Sequence, residues 1–191
     1  MAENIKTLFD NEWLSIKQVD GWYNYAHMSR TQDGQLVACL VYRKNPDALQ
    51  LLARYETCPA HFDGMAMTSI TGGVDKGDDP VTAVLHELRE EAGLPYTIMG
   101  LAKYGINILE YSPEYPLKYL GGVRPSKQED TLCHLFCFDA TGFELQASTT
   151  DGTKGEEGAY CAWVEPYLLL NCKCPLIATM WIRAGQLLGV K

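Results

Sequence analysis

The stretch Gly72-Gly73-Val74-Asp75-Lys76-Gly77-Asp78-Asp79-Pro80, running on through His86-Glu87-Leu88-Arg89-Glu90-Glu91-Ala92-Gly93-Leu94, decides how the rest of the chain is read. Asp78 and Asp79 stand where a helix N-cap is wanted, Pro80 suits the first turn, and Gly93 suits the position just past the end. Val81, Val84, Leu85, Leu88 and Ala92 recur at helical spacing and predict a core-facing stripe over 80–92. Glu87, Glu90 and Glu91 are spaced i, i+3, i+4, so their carboxylates project from one side of that helix. Like charges at those spacings repel by a few tenths of a kcal/mol per pair, a penalty that a bound divalent cation removes. Clustered carboxylates are hard oxygen ligands, which suits Mg²⁺, Mn²⁺ or Ca²⁺ rather than zinc. The glycines before the helix let backbone approach a metal or a phosphate closely. Taken alone, the acidic cluster reads more simply as a solvated helix face; the glycine loop, the caps and the closing Gly93-Leu94 at fixed offsets favour a site.

Outward from this stretch, residues 13–19, 22–29, 35–43 and 49–55 are short apolar or β-branched runs, expected as strands. Asp20-Gly21 and Asp33-Gly34 punctuate them as hairpin turns would. Residues 59–66 read as a loop and 69–71 as a short strand entering the glycines. Beyond the helix, 97–109, 131–139 and 160–164 are expected as strands. Residues 121–130 and 151–158 are expected as loops, and 176–188 as a helix. The order of strands, helix, strands, helix implies a mixed α/β domain and not a doubly wound parallel one.

The chain has 191 residues, 47% apolar and 21% charged, with no low-complexity tract. That excludes global disorder and suits one domain. Sixteen basic against 24 acidic residues leave a formal charge of −8, which argues against a partner held by bulk electrostatics, nucleic acid above all. No run approaches the ~20 apolar residues of a membrane span. The seven cysteines are odd in number and unsuited to a disulfide scaffold. Cys133 and Cys137 lie about 13 Å apart along an extended strand, too far to share one metal. A reduced, cytoplasmic protein is the expectation.

The quoted stretch resembles the Nudix box, G-x5-E-x7-R-E-U-x-E-E-x-G-U, with U a bulky aliphatic. Gly72 takes the first glycine, and Glu87-Leu88-Arg89-Glu90-Glu91-Ala92-Gly93-Leu94 fits the closing half throughout. Two positions depart: Asp78 stands for the first glutamate and His86 for the arginine. The resemblance implies an α/β/α sandwich around a mixed sheet, with the box as a loop-helix-loop. It implies an enzyme, a Nudix pyrophosphohydrolase that hydrolyses a nucleoside diphosphate linked to another moiety. By carry-over, Glu87, Glu90, Glu91 and the carbonyl of Thr71 hold Mg²⁺ (or Mn²⁺), Glu87 also serves as a catalytic base, and Gly72 and Gly73 approach the substrate. His86 takes the place of an arginine that orients the neighbouring glutamate. It is shorter, has fewer donors and is charged only part of the time near neutral pH.

The run Thr71–Asp78 is similar to the A-G-x-x-D-x-G-E version found in ADP-ribose and nucleotide-sugar pyrophosphatases. In that subgroup an N-terminal piece, here residues 1–34 ahead of a hydrolase domain at 35–191, pairs two subunits and completes the nucleotide site. A homodimer is therefore expected. The subgroup also places a catalytic glutamate in the loop 151–158, where Glu157 is favoured slightly over Glu156. Tyr111, near Tyr115 and Tyr119, is a candidate for stacking on a base, though these tyrosines could equally pack at a surface. His134, in an apolar strand, is expected to be a satisfied core histidine. Two alternatives stay open: a pyrophosphohydrolase of modified nucleoside triphosphates, and a module that binds a nucleotide without turnover.

Overall fold

The computed structural model describes residues 4–58, 64–111, 114–146 and 157–189. Its first element group is a three-stranded antiparallel meander: β1 (Ile5–Asp10), β2 (Ser15–Val19) and β3 (Tyr23–His27). Asp20 and Gly21 both take positive φ, 49° and 79°, as a tight β2–β3 turn requires. Asp33 and Gly34 also take positive φ, 50° and 71°, but no hairpin forms there. They carry the chain out of the small sheet and into β4 (Gln35–Lys44) of the main one. β1 has no alternation strong enough to be read as a strand. All six of its residues are exposed, and its backbone pairs with β2.

The main sheet has seven strands: β4, β5 (Leu49–Thr57), β6 (Met65–Thr68), β7 (Ile70–Gly73), β8 (Leu117–Val123), β9 (Leu132–Asp139) and β10 (Tyr160–Val164). The order β10-β5-β4-β9-β8 forms its spine, with β6 on β5 and β7 on β4. Only β4 and β9 pair in parallel, in the middle, where both faces are covered. Their side chains divide by alternation. Val37, Cys39, Val41, Phe136 and Phe138 pack toward the box helix α1 (Pro80–Glu90). Ala38, Leu40, Tyr42, Cys133, Leu135 and Cys137 pack toward the C-terminal helix α3 (Pro175–Leu188). Helices on both faces give the expected α/β/α sandwich. Among the described residues no helix is long and apolar enough to cross a membrane.

Three expected elements are corrected. Residues 97–109 are not a strand: a 3-10 segment (Tyr96–Tyr104) runs into the short helix α2 (Gly105–Tyr111). The apolar positions there also fit a helical face, with Ile98 and Leu109 buried, and Gly105 at φ 69° turns the chain between the two pieces. Residues 121–123, expected as loop, extend β8. Gly121 sits at φ 87° beside a bulge and pairs with Leu135, a register that two glycines hide from any apolar pattern. Met65 and Ala66, read as the end of a loop, open β6. The cysteines are free thiols, as read from the sequence. His134 is a satisfied core histidine, bonded to Gln35 Oε1 at 2.9 Å and to Tyr119 Oη at 3.2 Å.

Candidate active site

Local chemistry builds the box before any tertiary contact does. Asp79 caps α1 by accepting from the N–H groups of Val81 (2.8 Å) and Thr82 (3.0 Å). At the other end Gly93 takes φ 69°, and Leu94 N–H donates back to the Leu88 carbonyl at 3.0 Å. The stripe Val81, Val84, Leu85, Leu88 is fully buried and fixes the helix azimuth. Glu87, Glu90 and Glu91 therefore face β7 and the glycine turn.

Glu87 lies across Gly72 so closely that a Cβ there would fall 1.7 Å from its Oε1. Any side chain at the first position of the box would displace the Glu87 carboxylate. Glu91 is 7% exposed. One carboxylate oxygen accepts from Thr71 N–H at 3.1 Å, and the other meets Arg54 Nη2 at 3.1 Å. Burial pushes the Glu91 carboxyl up to about 9, opposed by the Arg54 guanidinium, reinforced by the nearby Glu87 and opposed again by the Thr71 N–H. Glu90 differs: its side chain is 36% exposed and pairs with Arg89 next to it. The three carboxylates share one cavity with Thr71, Gly72 and Gly73, about 360 Å³ in volume. Among the described residues no three His, Cys, Asp or Glu side chains converge at ligating distance. Glu91 leans toward Arg54 and Glu90 toward Arg89. The donor set is nonetheless hard oxygen, as a Mg²⁺ or Mn²⁺ ion requires.

The far wall of the same cavity comes from the small sheet and its exit: Trp13, Met28, Arg30 and Thr31. The Arg30 guanidinium lies 4.5 Å from the centroid of the Trp13 ring. Past this pair the groove opens into a second cavity of about 570 Å³, lined by Glu12, Ser29, Asp75 and Lys76. The small sheet is docked by few bonds. Ala26 N–H donates to Gln128 O (2.8 Å), Asp130 N–H donates to Ala26 O (3.1 Å), and His27 Nδ1 meets Asp130 Oδ2 at 2.9 Å.

Of the remaining candidates, His86 is half-buried on α1 and makes no side-chain hydrogen bond among the described residues. Glu157 is exposed at the start of the segment into β10, while Glu156 lies outside the described residues. The stems flanking 147–156 both attach to the end of α1. Gln146 N–H donates to Gly93 O at 2.7 Å, and Cys161 Sγ donates to Glu91 O at 3.3 Å. Tyr111 closes α2 and its side chain lies outside the described residues. Its neighbours pack: Tyr115 on Tyr104 at 4.2 Å between centroids, Tyr119 on Phe136 at 5.3 Å. Arg54, Trp13 and Arg30 escaped the sequence reading. Arg54 alone carried a signal there, as the one charge within the apolar run 49–55.

Comparison with known proteins agrees with the box. The NUDIX domain model matches residues 34–175. The chain therefore belongs to the Nudix family, and its class is that of a Nudix pyrophosphohydrolase. No curated protein matches it in sequence. Among solved structures it is similar to an ADP compounds hydrolase, at 15% identity and a TM-score of 0.61, covering 97% of this chain and 92% of that one. It is also similar to a C. elegans Ap4A hydrolase in a binary complex, at 14% identity and a TM-score of 0.52, covering 81% of this chain and 97% of that one. At these identities the two structures speak for the fold alone.

Proposed function

We propose that the protein hydrolyses the diphosphate bond of a nucleoside diphosphate linked to another moiety, with ADP-ribose or a nucleotide sugar as the preferred substrate, in a reaction dependent on Mg²⁺ or Mn²⁺. The observation that carries this reading is the single cavity holding both walls, three carboxylates on one side and the Trp13–Arg30 pair on the other. The diphosphate lies between them. Trp13, 49% exposed, offers a face to the base, and Arg30 offers a cation to the phosphates. The second cavity, beyond Trp13, has room for the second moiety, which favours such a substrate over a nucleoside triphosphate.

Glu87, Glu90, Glu91 and the carbonyl of Thr71 are the residues that would hold the cation. When bound, such an ion offsets the diphosphate charge and acidifies a water. A water attacks one phosphorus, the bridging P–O bond breaks, and two phosphomonoesters leave with release of a proton. Glu157 or Glu156 is the proposed acceptor of the water's proton. Gln146 and Cys161, on either side of residues 147–156, are bonded to Gly93 and Glu91 at the end of the box helix, which supports this proposal. Glu87 is the next candidate. His86 is proposed to assist as an electrostatic neighbour of Glu87.

The small sheet, residues 1–34, is proposed as a substrate-completing and dimer-forming extension of the domain at 35–191. Ile5, Leu8, Phe9 and Trp22 are exposed on it, and a second copy would cover them. Free thiols suit the cytoplasm as the proposed place of action. The test is product analysis after incubation with Mg²⁺ and a panel of ADP-ribose, nucleotide sugars and nucleoside triphosphates. AMP plus ribose 5-phosphate supports the reading. Nucleoside monophosphate plus pyrophosphate from a triphosphate would replace it, and tight nucleotide binding with no product would mark a binding module.

A further inference from the structure

Arg54 is 2% exposed, the largest fully buried side chain among the described residues, yet it is charged. It sits at the centre of β5, paired to Thr68 of β6 on one side and to Cys161 of β10 on the other, so its backbone is fixed. Alternation places it on the same face as Leu52, beneath α1, and Glu56 follows on that face two residues later. Its Nε donates to Glu56 Oε2 at 2.8 Å while its Nη2 reaches Glu91 Oε1 at 3.1 Å. The guanidinium is thus aimed from below, with Glu56 as the rear support, and Thr71 N–H takes the other oxygen of Glu91. Both oxygens of Glu91 are held by groups outside the box helix. His86 makes no bond of this kind among the described residues.

We propose that Arg54 is a positioning residue that sets the Glu91 carboxylate for a bound divalent cation, with Glu56 holding Arg54 in turn. This rests on the Nudix reading above. Groups that orient a metal ligand from behind commonly change metal affinity or rate about 10–100-fold when altered. A planar guanidinium can reach two carboxylates at once, whereas a lysine ammonium on a flexible stem cannot hold the same fork.

The experiment compares wild-type, Arg54→Lys and Glu56→Gln proteins. Mn²⁺ binding is followed by the EPR signal of the free ion, next to kcat, KM and Tm. Arg54→Lys is expected to weaken Mn²⁺ binding and to lower kcat, each by about tenfold, with KM close to wild type. Glu56→Gln, which leaves box and guanidinium in place, is expected to move both quantities the same way by about threefold. It carries the test if Arg54→Lys fails to fold. A fall in Tm with Mn²⁺ affinity and kcat unchanged would overturn the proposal and leave Arg54 a structural brace. A raised KM alone would overturn it in favour of a contact to substrate phosphate. A wild-type protein that neither binds Mn²⁺ nor turns over any substrate would overturn the proposed metal-dependent hydrolysis itself, and this inference with it.

Discussion

The two walls of the cavity are built to different standards of rigidity. On the box side Glu91 is almost fully buried, bonded by a strand N–H and a buried guanidinium, on a helix capped at both ends. On the opposite side Trp13 and Arg30 are exposed and stack mainly on one another, at the exit of a three-stranded sheet docked by a few bonds to residues 127–130. Under the proposed function, the first wall carries the groups that must be placed to within fractions of an ångström for chemistry. The second would meet parts of a substrate that do not react, where looser contacts still supply affinity. Within the box the same contrast recurs over one residue. Glu90, at the surface with Arg89, can swing at little cost because exposed pairs contribute about 0–1 kcal/mol, and Glu91 cannot.

Changes on the two walls should therefore separate rate from affinity. Glu87→Gln removes a carboxylate that lies across Gly72, and kcat is expected to fall by roughly two to three orders of magnitude with the fold intact by circular dichroism. Trp13→Ala should act on the other wall, raising KM for ADP-ribose about tenfold with kcat nearly unchanged, as loss of one base-stacking platform implies. A drop in kcat of equal size would show that the small sheet shares in the chemistry. His27→Ala cuts the pair with Asp130 that docks this sheet, and should raise KM by about threefold through a less ordered Trp13. The smallest effect is expected for His86→Arg, less than threefold in kcat between pH 6 and 9, because no bond to the ring has to be replaced.

How much of this could be read from the chain follows the same division. The box helix was legible because each signal is local: the Asp79 cap, Pro80, the buried stripe and Gly93 all lie within fifteen residues. Strands β4, β5, β9 and β10 were legible from runs such as Val37–Tyr42, buried on both faces. The segment after the box was misread because Ile98 and Leu109 satisfy a helical face as well as an apolar run. Flanking glycine at 105 could signal either a strand end or the turn between two short helices. The second wall was legible only as a region: the resemblance assigned residues 1–34 to the nucleotide site but singled out neither Trp13 nor Arg30. Nothing in the local pattern around them says that the chain after their sheet packs over Gly73, a contact made by Thr31 and by Gln32 N–H to Val74 O just before the Asp33-Gly34 turn. Arg54 needed one more step: strand alternation puts it inward beside Leu52, and an inward charge demands a buried partner.

Glu91 concentrates the contrast, because the proposed metal-holding role sets a buried carboxyl where its ionisation costs the metal-free fold. Its folded pKa is raised to about 9, whereas an unfolded glutamate ionises near the ordinary carboxylate range. The contribution is fully present below the unfolded value, and stability is lost as pH rises toward the folded one. Glutamine has the shape of the protonated acid and escapes that loss. The decisive measurement is Glu91→Gln in two assays, ADP-ribose turnover with saturating Mg²⁺ and thermal unfolding in EDTA. Turnover is expected to fall by about two to three orders of magnitude, and the decline in Tm that wild type shows as pH rises from about 4.5 to 8 is expected to be missing from the variant. Near wild-type kcat in this variant would contradict the placement of Glu91 at the centre of the site.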